Sequence, residues 1–382
     1  MEAKNQELKR QVIRYIIYLI VVLGLTALSF FLALNGKFQE IEETITKANI
    51  FYLLIVFAIV IASIILRSIV IFSLNRTYNS DYYFHRAIAI DQIGTLYKLV
   101  TPAGLGSHIM EYHTYYKQGV KLSDALSVLA IYSIIYQIAL IIYNTVTLFF
   151  KGGLVVEIGY INFSFSDAVN VPVPLWLLVT AGYIINLTVI AFIFFISYWD
   201  GFYLFIRNPI GKFLAKIKVV KNLDKYQSNL DNEKLNYRAN LKHLMKNWPI
   251  FIISIVCFAI YITISYSTPY FIGEALGNTS PNANFWDSVL LSNFHQMITC
   301  IIPIPGSAFS SELFFYRLFY SSNPEVSFYS SEDIARASLL LWRSLMFVIP
   351  LIISSIFTII YRPRKRKEVD TDEDQKDQNL QN

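Results

Sequence analysis

Cysteine is almost missing from this chain. Cys257 and Cys300 are the two in 382 residues, and both lie in apolar stretches. Two thiols so placed exclude a disulfide framework and a cysteine-based zinc cluster. Charge is scarce as well: Asp, Glu, Lys and Arg make up 15% of the chain, where a soluble domain carries about a quarter. Histidine numbers five. His108 and His113 flank Glu111, but a zinc-protease helix needs His-Glu-x-x-His, with both ligands on one face. Five-residue spacing turns them apart, so no metal site is expected, and no cofactor motif is present. What fills the chain is apolar: 55% hydrophobic, 16% aromatic, mean hydropathy +0.45.

Those apolar residues come in runs. Six segments are long enough to cross a bilayer, roughly 12–34, 50–74, 124–148, 174–198, 249–273 and 336–360, since about 18–20 apolar residues suffice. The first follows MEAKNQELKR without a small-residue cleavage site and reads as a retained helix. Two shorter segments are broken. One runs from Ile88 to Val100, stops at TPAGLG and resumes towards Tyr116; the other runs from Phe285 to Ile302, stops at PIPGS and resumes towards Tyr320. The fold expected is all-α, a polytopic membrane protein of about six spans plus two broken or re-entrant helix pairs.

Lysine and arginine orient it. The 199–248 connection holds ten of them against four acids, the tail begins RPRKRK, and the amino terminus adds Lys4, Lys9, Arg10 and Arg14. By the positive-inside rule these three regions face the cytoplasm, so both termini are expected there and the 151–173 and 274–284 loops outside. The charges balance only if each broken pair enters and leaves on one side, the first from the cytoplasm and the second from the exterior. Residues 12–148 and 174–360 then share one order: helix, helix, broken pair, helix. Such inverted repeats place transport sites near the midplane. We take 1–361 as one membrane domain with a basic cytoplasmic loop at 199–248, and 362–382 as a charged cytoplasmic tail. The basic loop suits anionic lipid headgroups and not nucleic acid; homo-oligomers are compatible with such a chain.

Two readings of the first break stand. Pro102, Gly104 and Gly106 can mark a surface turn, or a helix break inside the protein whose following half-helix points its positive end at an anion. Glu111 lies on that half-helix. The second break repeats the chemistry with Pro303, Pro305 and Gly306, then Glu312, which is either a cavity acid or a first-turn acid facing the helix dipole. Arg343, in LLLWRSLMF, sits about eight residues or ~12 Å from its helix end, too deep to reach the surface easily. Arg67 is nearer an end and can snorkel. Arg343 pairing with Glu312 or Glu111 beside a central polar cavity is the arrangement expected.

TPAGLGSHIMEYHTYYKQGVKLSDALSVLAIYSIIYQ, PIPGSAFSSELFF and LWRSLMFVIPLI together resemble the lysylphosphatidylglycerol synthase transmembrane-region family of flippase-like membrane proteins, over about residues 10–360. That family has a Thr-Pro break with a glycine-rich turn, a Pro-x-Pro-Gly-Gly segment leading to a Glu, and a Trp-Arg pair in its last helix. The resemblance places these at Thr101, Pro102 and Gly106; at Pro303, Pro305, Gly306 and Glu312; and at Trp342 and Arg343. Ser107-His108 stands where relatives have Gln-Pro, and Ser307, Phe309 and Ser310 where they are richer in glycine. Full-length relatives carry an aminoacyltransferase domain that is expected to be lacking here.

The function expected is movement of a phospholipid, such as lysyl-phosphatidylglycerol, or of a polyprenyl-linked lipid between leaflets of the cell membrane. Arg343 would hold the phosphate, with Arg67, Thr101 and the half-helix starts nearby. The rivals are the membrane part of a phosphatidylglycerol lysyltransferase system serving cationic-peptide resistance, which needs a separate synthase, and a non-transporting scaffold for envelope enzymes.

Overall fold

Inside a bilayer every backbone N–H and C=O has to find its partner within the chain, and for so apolar a sequence helices provide it. The structure, a computed structural model, is 81% helical with almost no strand. It describes residues 20, 24–28, 30–31, 34, 36–166, 169–216 and 223–361. The expected first span, 12–34, and the tail 362–382 therefore lie largely or wholly outside the described residues. The other five expected spans are present as apolar helical stretches, Ile50–Arg76, Ser123–Ile158, Leu175–Phe192, Trp248–Ala275 and Glu332–Ile360.

A short amphipathic helix, α1 (Phe38–Thr46), precedes the first of these, α2 (Ile50–Arg76). Next come the legs of a hairpin, α3 (Phe84–Val100) and α4 (Gly106–Lys117), and the long α5 (Leu122–Ile158). Residues 151–173, expected as a loop, instead extend α5 by two turns and then form an antiparallel ribbon of β1 (Tyr160–Ser166) and β2 (Val169–Pro174), with Tyr160 opposite Pro174. α6 (Leu175–Tyr198) crosses back. The basic connection expected as a loop is a pair of helices, α7 (Asp200–Lys216) and α8 (Leu223–Lys246). There Arg207 is paired with Asp231, while Lys234 and Arg238 share Asp200. After α9 (Trp248–Tyr266) and α10 (Thr268–Ala275) comes a second hairpin, α11 (Phe285–Thr299) and α12 (Ser310–Phe319). The last span is α13 (Glu332–Arg343), a π-helical turn (Ser344–Val348) and α14 (Ile349–Ile360).

Hydrogen bonds mark the two ends of the bundle. At the basic end Asn240 of α8 receives the Tyr78 hydroxyl on its carbonyl and donates to Asp124 at the start of α5. At the ribbon end Lys151 of α5 pairs with Asp287 of α11 at 2.9 Å. The first hairpin opens to the basic end, where Tyr82 bonds Gln118 across its mouth at 2.8 Å. Its legs carry its turn, after Val100, ~25 Å away at the helical rise. The second hairpin opens to the ribbon end, its close secured by the Tyr329 amide on the Phe319 carbonyl. The turns meet: a Cβ added at Gly306 would stand 3.3 Å from the Leu99 carbonyl. Each hairpin has its own apolar core, around Tyr115 and Phe258 for the first and around Phe294, Phe315 and Tyr329 for the second. A small third cluster of Leu96, Val100, Phe347 and Leu351 joins the turns to the last span.

Candidate functional site

The two turns share one local geometry. An extended residue, Thr101 (φ −108°, ψ 148°) or Ile304 (φ −94°, ψ 142°), is followed by Pro102 or Pro305 and then by a residue of positive φ. That residue is Ala103 (φ 52°) in the first turn and Gly306 (φ 59°) in the second. Proline removes a donor and fixes its own φ, so the helix must end there. Ala103, Ser307 and Phe309 hold positive φ without being glycine, a backbone cost of about 1–2 kcal/mol each that the surrounding packing has to offset. Side chains of Pro102, Ala103, Pro303 and Ile304 remain exposed at these turns.

Thr101 closes the first turn. Its hydroxyl donates to the Tyr97 carbonyl at 2.6 Å and accepts the Gly106 amide at 2.9 Å. Gly106 permits this approach, because a Cβ there would fall 2.7 Å from the Thr101 methyl. The expectation that the start of this half-helix offers free donors is corrected in part: its first amide is already taken by Thr101.

Arg343 sits where the last span passes the second turn. Its Nε lies 2.7 Å from Glu312 Oε1, and both side chains are nearly sealed, at 4% and 5% exposure. Nη2 donates to the Gly306 carbonyl at 2.7 Å, and the guanidinium stacks 3.9 Å over the Phe347 ring. Nε faces the carboxylate without hydrogen-bond alignment, so the attraction is Coulombic and the bidentate grip open to a guanidinium is not used. The arginine is compensated, not open, and beside it Phe347 and Leu351 of the last span pack against Leu96 and Val100 of α3.

Arg67 overturns a second expectation. It does not snorkel: it lies between α2 and α3, with Nε donating to Asp91 Oδ1 at 2.7 Å and Nη2 to Oδ2 at 3.0 Å. The Tyr261 ring packs 5.1 Å from its guanidinium. Asp91, only 3% exposed on its side chain, also receives the Gln92 amide, and Gln92 accepts the Ser354 hydroxyl of α14. A lone acid in the apolar run IAIDQIG is the signal that would have found it. Each hairpin thus carries one buried carboxylate tied to an arginine of a neighbouring span.

The remaining candidates have structural partners. Glu111 accepts the Ser107 hydroxyl and meets His108 Nδ1, both at 2.9 Å, and packs on Gly94, where any Cβ would collide with it. His113 is exposed on another face of α4. Glu111 and Glu312 keep separate partners. Trp342 stacks on Phe315 with ring centroids 4.6 Å apart, and the His295 ring meets it edge-on at 5.2 Å. His295, which sequence reasoning passed over, bonds the Ser311 carbonyl at 2.9 Å. A cavity of about 330 Å³ opens at the ribbon end beside Lys151 and Asp287.

Opposed broken hairpins meeting beside a buried arginine, within a bundle of apolar helices, define an all-α polytopic membrane protein. The profile described as "Lysylphosphatidylglycerol synthase TM region" matches residues 15–354. The chain belongs to that family, which points to a membrane-lipid-related function. No curated protein matches the chain.

Proposed function

We propose that this chain moves a phosphate-bearing lipid, a phospholipid or a polyprenyl-linked lipid, between the leaflets of the cell membrane. The observation that carries the reading is Arg343. A buried guanidinium is costly in a bilayer, and this one stands at the meeting point of two broken helices, held by one carboxylate and one carbonyl. A lipid phosphate offers the same guanidinium two oxygens in a bidentate arrangement. Headgroup binding then exchanges Glu312 for phosphate and frees the carboxylate, which takes up a proton or the cationic part of a headgroup. The exposed faces of Pro102 and Ile304 at the turns give the headgroup its approach. In this reading both termini and α7–α8 face the cytoplasm, and the exposed Lys242 and Lys246 meet anionic headgroups.

The family description supports a second reading, the membrane part of a phosphatidylglycerol lysyltransferase system. One experiment separates the two. The purified chain is placed in vesicles with fluorescent phosphatidylglycerol or lysyl-phosphatidylglycerol in one leaflet, and dithionite quenching reads their movement. A parallel sample with lysyl-tRNA and phosphatidylglycerol reads lysyl-lipid synthesis. Movement without synthesis is expected. Synthesis without movement would replace the transport reading by the enzymatic one.

A further inference from the structure

Away from Arg343, a polar seam runs between α5 and α11. Thr147 of α5 accepts the Asn293 amide at 2.9 Å, and both residues are fully buried. The helices are antiparallel here. Lys151 pairs with Asp287 at the ribbon end, and Thr147, one turn deeper on α5, pairs with Asn293, nearly two turns deeper on α11. One further turn along each helix lie Asn144, also fully buried, on α5 and Gln296 on α11. Asn144 has no protein partner for either amide atom, and the buried Asn293 Oδ1 and Gln296 Oε1 have none. Deeper still, Gln137 donates to Asn186 of α6, whose own amide nitrogen is unpartnered.

Amides that merely join helices in a membrane bond one another, as Gln137 and Asn186 do. Asn144, Asn293 and Gln296 instead present three unpartnered oxygens against one unpartnered nitrogen. Leaving buried acceptors unpaired is costly in so dry a setting, and an excess of oxygen calls for a positively charged guest. The oxygens are neutral amides, with the Thr147 hydroxyl beside them, and no carboxylate stands among them; calcium and magnesium sites draw on carboxylates. Above the seam, the cavity of about 330 Å³ is lined by Glu157, Asp287 and Glu325 against the single Lys151. Such a mouth concentrates cations.

We propose that Asn144, Thr147, Asn293 and Gln296 form a binding site for a monovalent alkali cation, entered from the acidic cavity at the ribbon end. The site is separate from Arg343, and its occupancy can be measured without any lipid movement, so it stands or falls independently of the transport reading. The test is thermal unfolding of the purified full chain in detergent, titrated with NaCl, KCl or choline chloride at constant ionic strength. A ligand of the folded state alone raises Tm with its concentration. Tm is expected to climb with sodium or potassium and stay flat in choline. Asn144→Leu should abolish the climb. Asn293→Asp, which adds a negative charge at the site, should shift the half-maximal concentration at least tenfold lower and serves if Asn144→Leu does not fold. Equal Tm in all three salts, an undiminished climb in Asn144→Leu, or an unchanged midpoint in Asn293→Asp would overturn the proposal.

Discussion

Replacing Arg343 by leucine removes one partner of a sealed ion pair. The side chain of Glu312 is 5% exposed and would be left buried with no cation beside it. Breaking such a pair from one side costs about 3–5 kcal/mol, or roughly two to three and a half decades in the folded population at ~1.4 kcal/mol per tenfold. Loss of the guanidinium stacked on Phe347 adds to this, since a desolvated cation–π contact is worth about 2 kcal/mol or more. Arg343→Leu is therefore expected to lower folded yield and Tm. Neutralising the other side changes the balance. In Arg343→Leu/Glu312→Gln no charge remains buried, and replacing a whole pair is often neutral or stabilising, so stability should return to within about 1 kcal/mol of the parent. Lipid movement should not return, because the phosphate clamp is still missing. Size-exclusion yield and thermal unfolding read the first quantity and vesicle translocation the second. If the double variant is as unstable as Arg343→Leu, the pair is not what stabilises the turn. If it moves lipid at the parental rate, Arg343 is not the clamp.

Asp91→Ala is expected to destabilise by about 3–5 kcal/mol, because Arg67 loses its bidentate partner in a buried position, with Arg67→Leu/Asp91→Leu recovering most of the loss in the same unfolding assay. Gly182→Ala would place a Cβ 1.8 Å from the Met297 carbonyl oxygen, separating α6 from α11; overpacking of this kind costs about 1–3 kcal/mol or more against rigid backbone, and a sharp fall in folded yield should report it. Thr101→Val removes the hydroxyl that caps Gly106 and should cost about 1 kcal/mol, while Thr101→Ser restores it. At the basic end, hydrogen bonds from Lys234 and then Arg238 hold the Asp200 carboxyl below the usual carboxylate range. With the folded value depressed, its contribution is present above the ordinary carboxylate pKa of about 3.9 and lost as pH falls through the lower folded value. With intrinsic exchange rates divided out, protection of the α7 amides should fall below about pH 4 in the parent, and Asp200→Asn should show that lower protection already at neutral pH.

Much of this architecture is legible in one dimension. Lipid solvation rewards long apolar runs and penalises every unsatisfied backbone group, so five of the six expected spans stand where hydropathy places them. Pro102 and Pro305 announce the breaks because a missing amide and a fixed φ are local properties. The depth of Arg343 is likewise a count along one helix. The ribbon at 160–174 and the helices α7 and α8 were less readable: a ribbon buries its polar backbone through pairing across its turn, and a polar amphipathic pair shows no apolar run. Only the tertiary structure decided the partners. Glu312 and Glu111 look alike in sequence, yet one meets Arg343 and the other packs on Gly94 with Ser107 and His108, because each turn orients its own half-helix. Arg67 looked able to reach the surface until Asp91, 24 positions away, proved to face it across α2 and α3. Charge pairing depends on which faces of two helices meet, and that is set by close-packed contacts at Gly94, Gly182 and Gly306, whose neighbours lie on other helices.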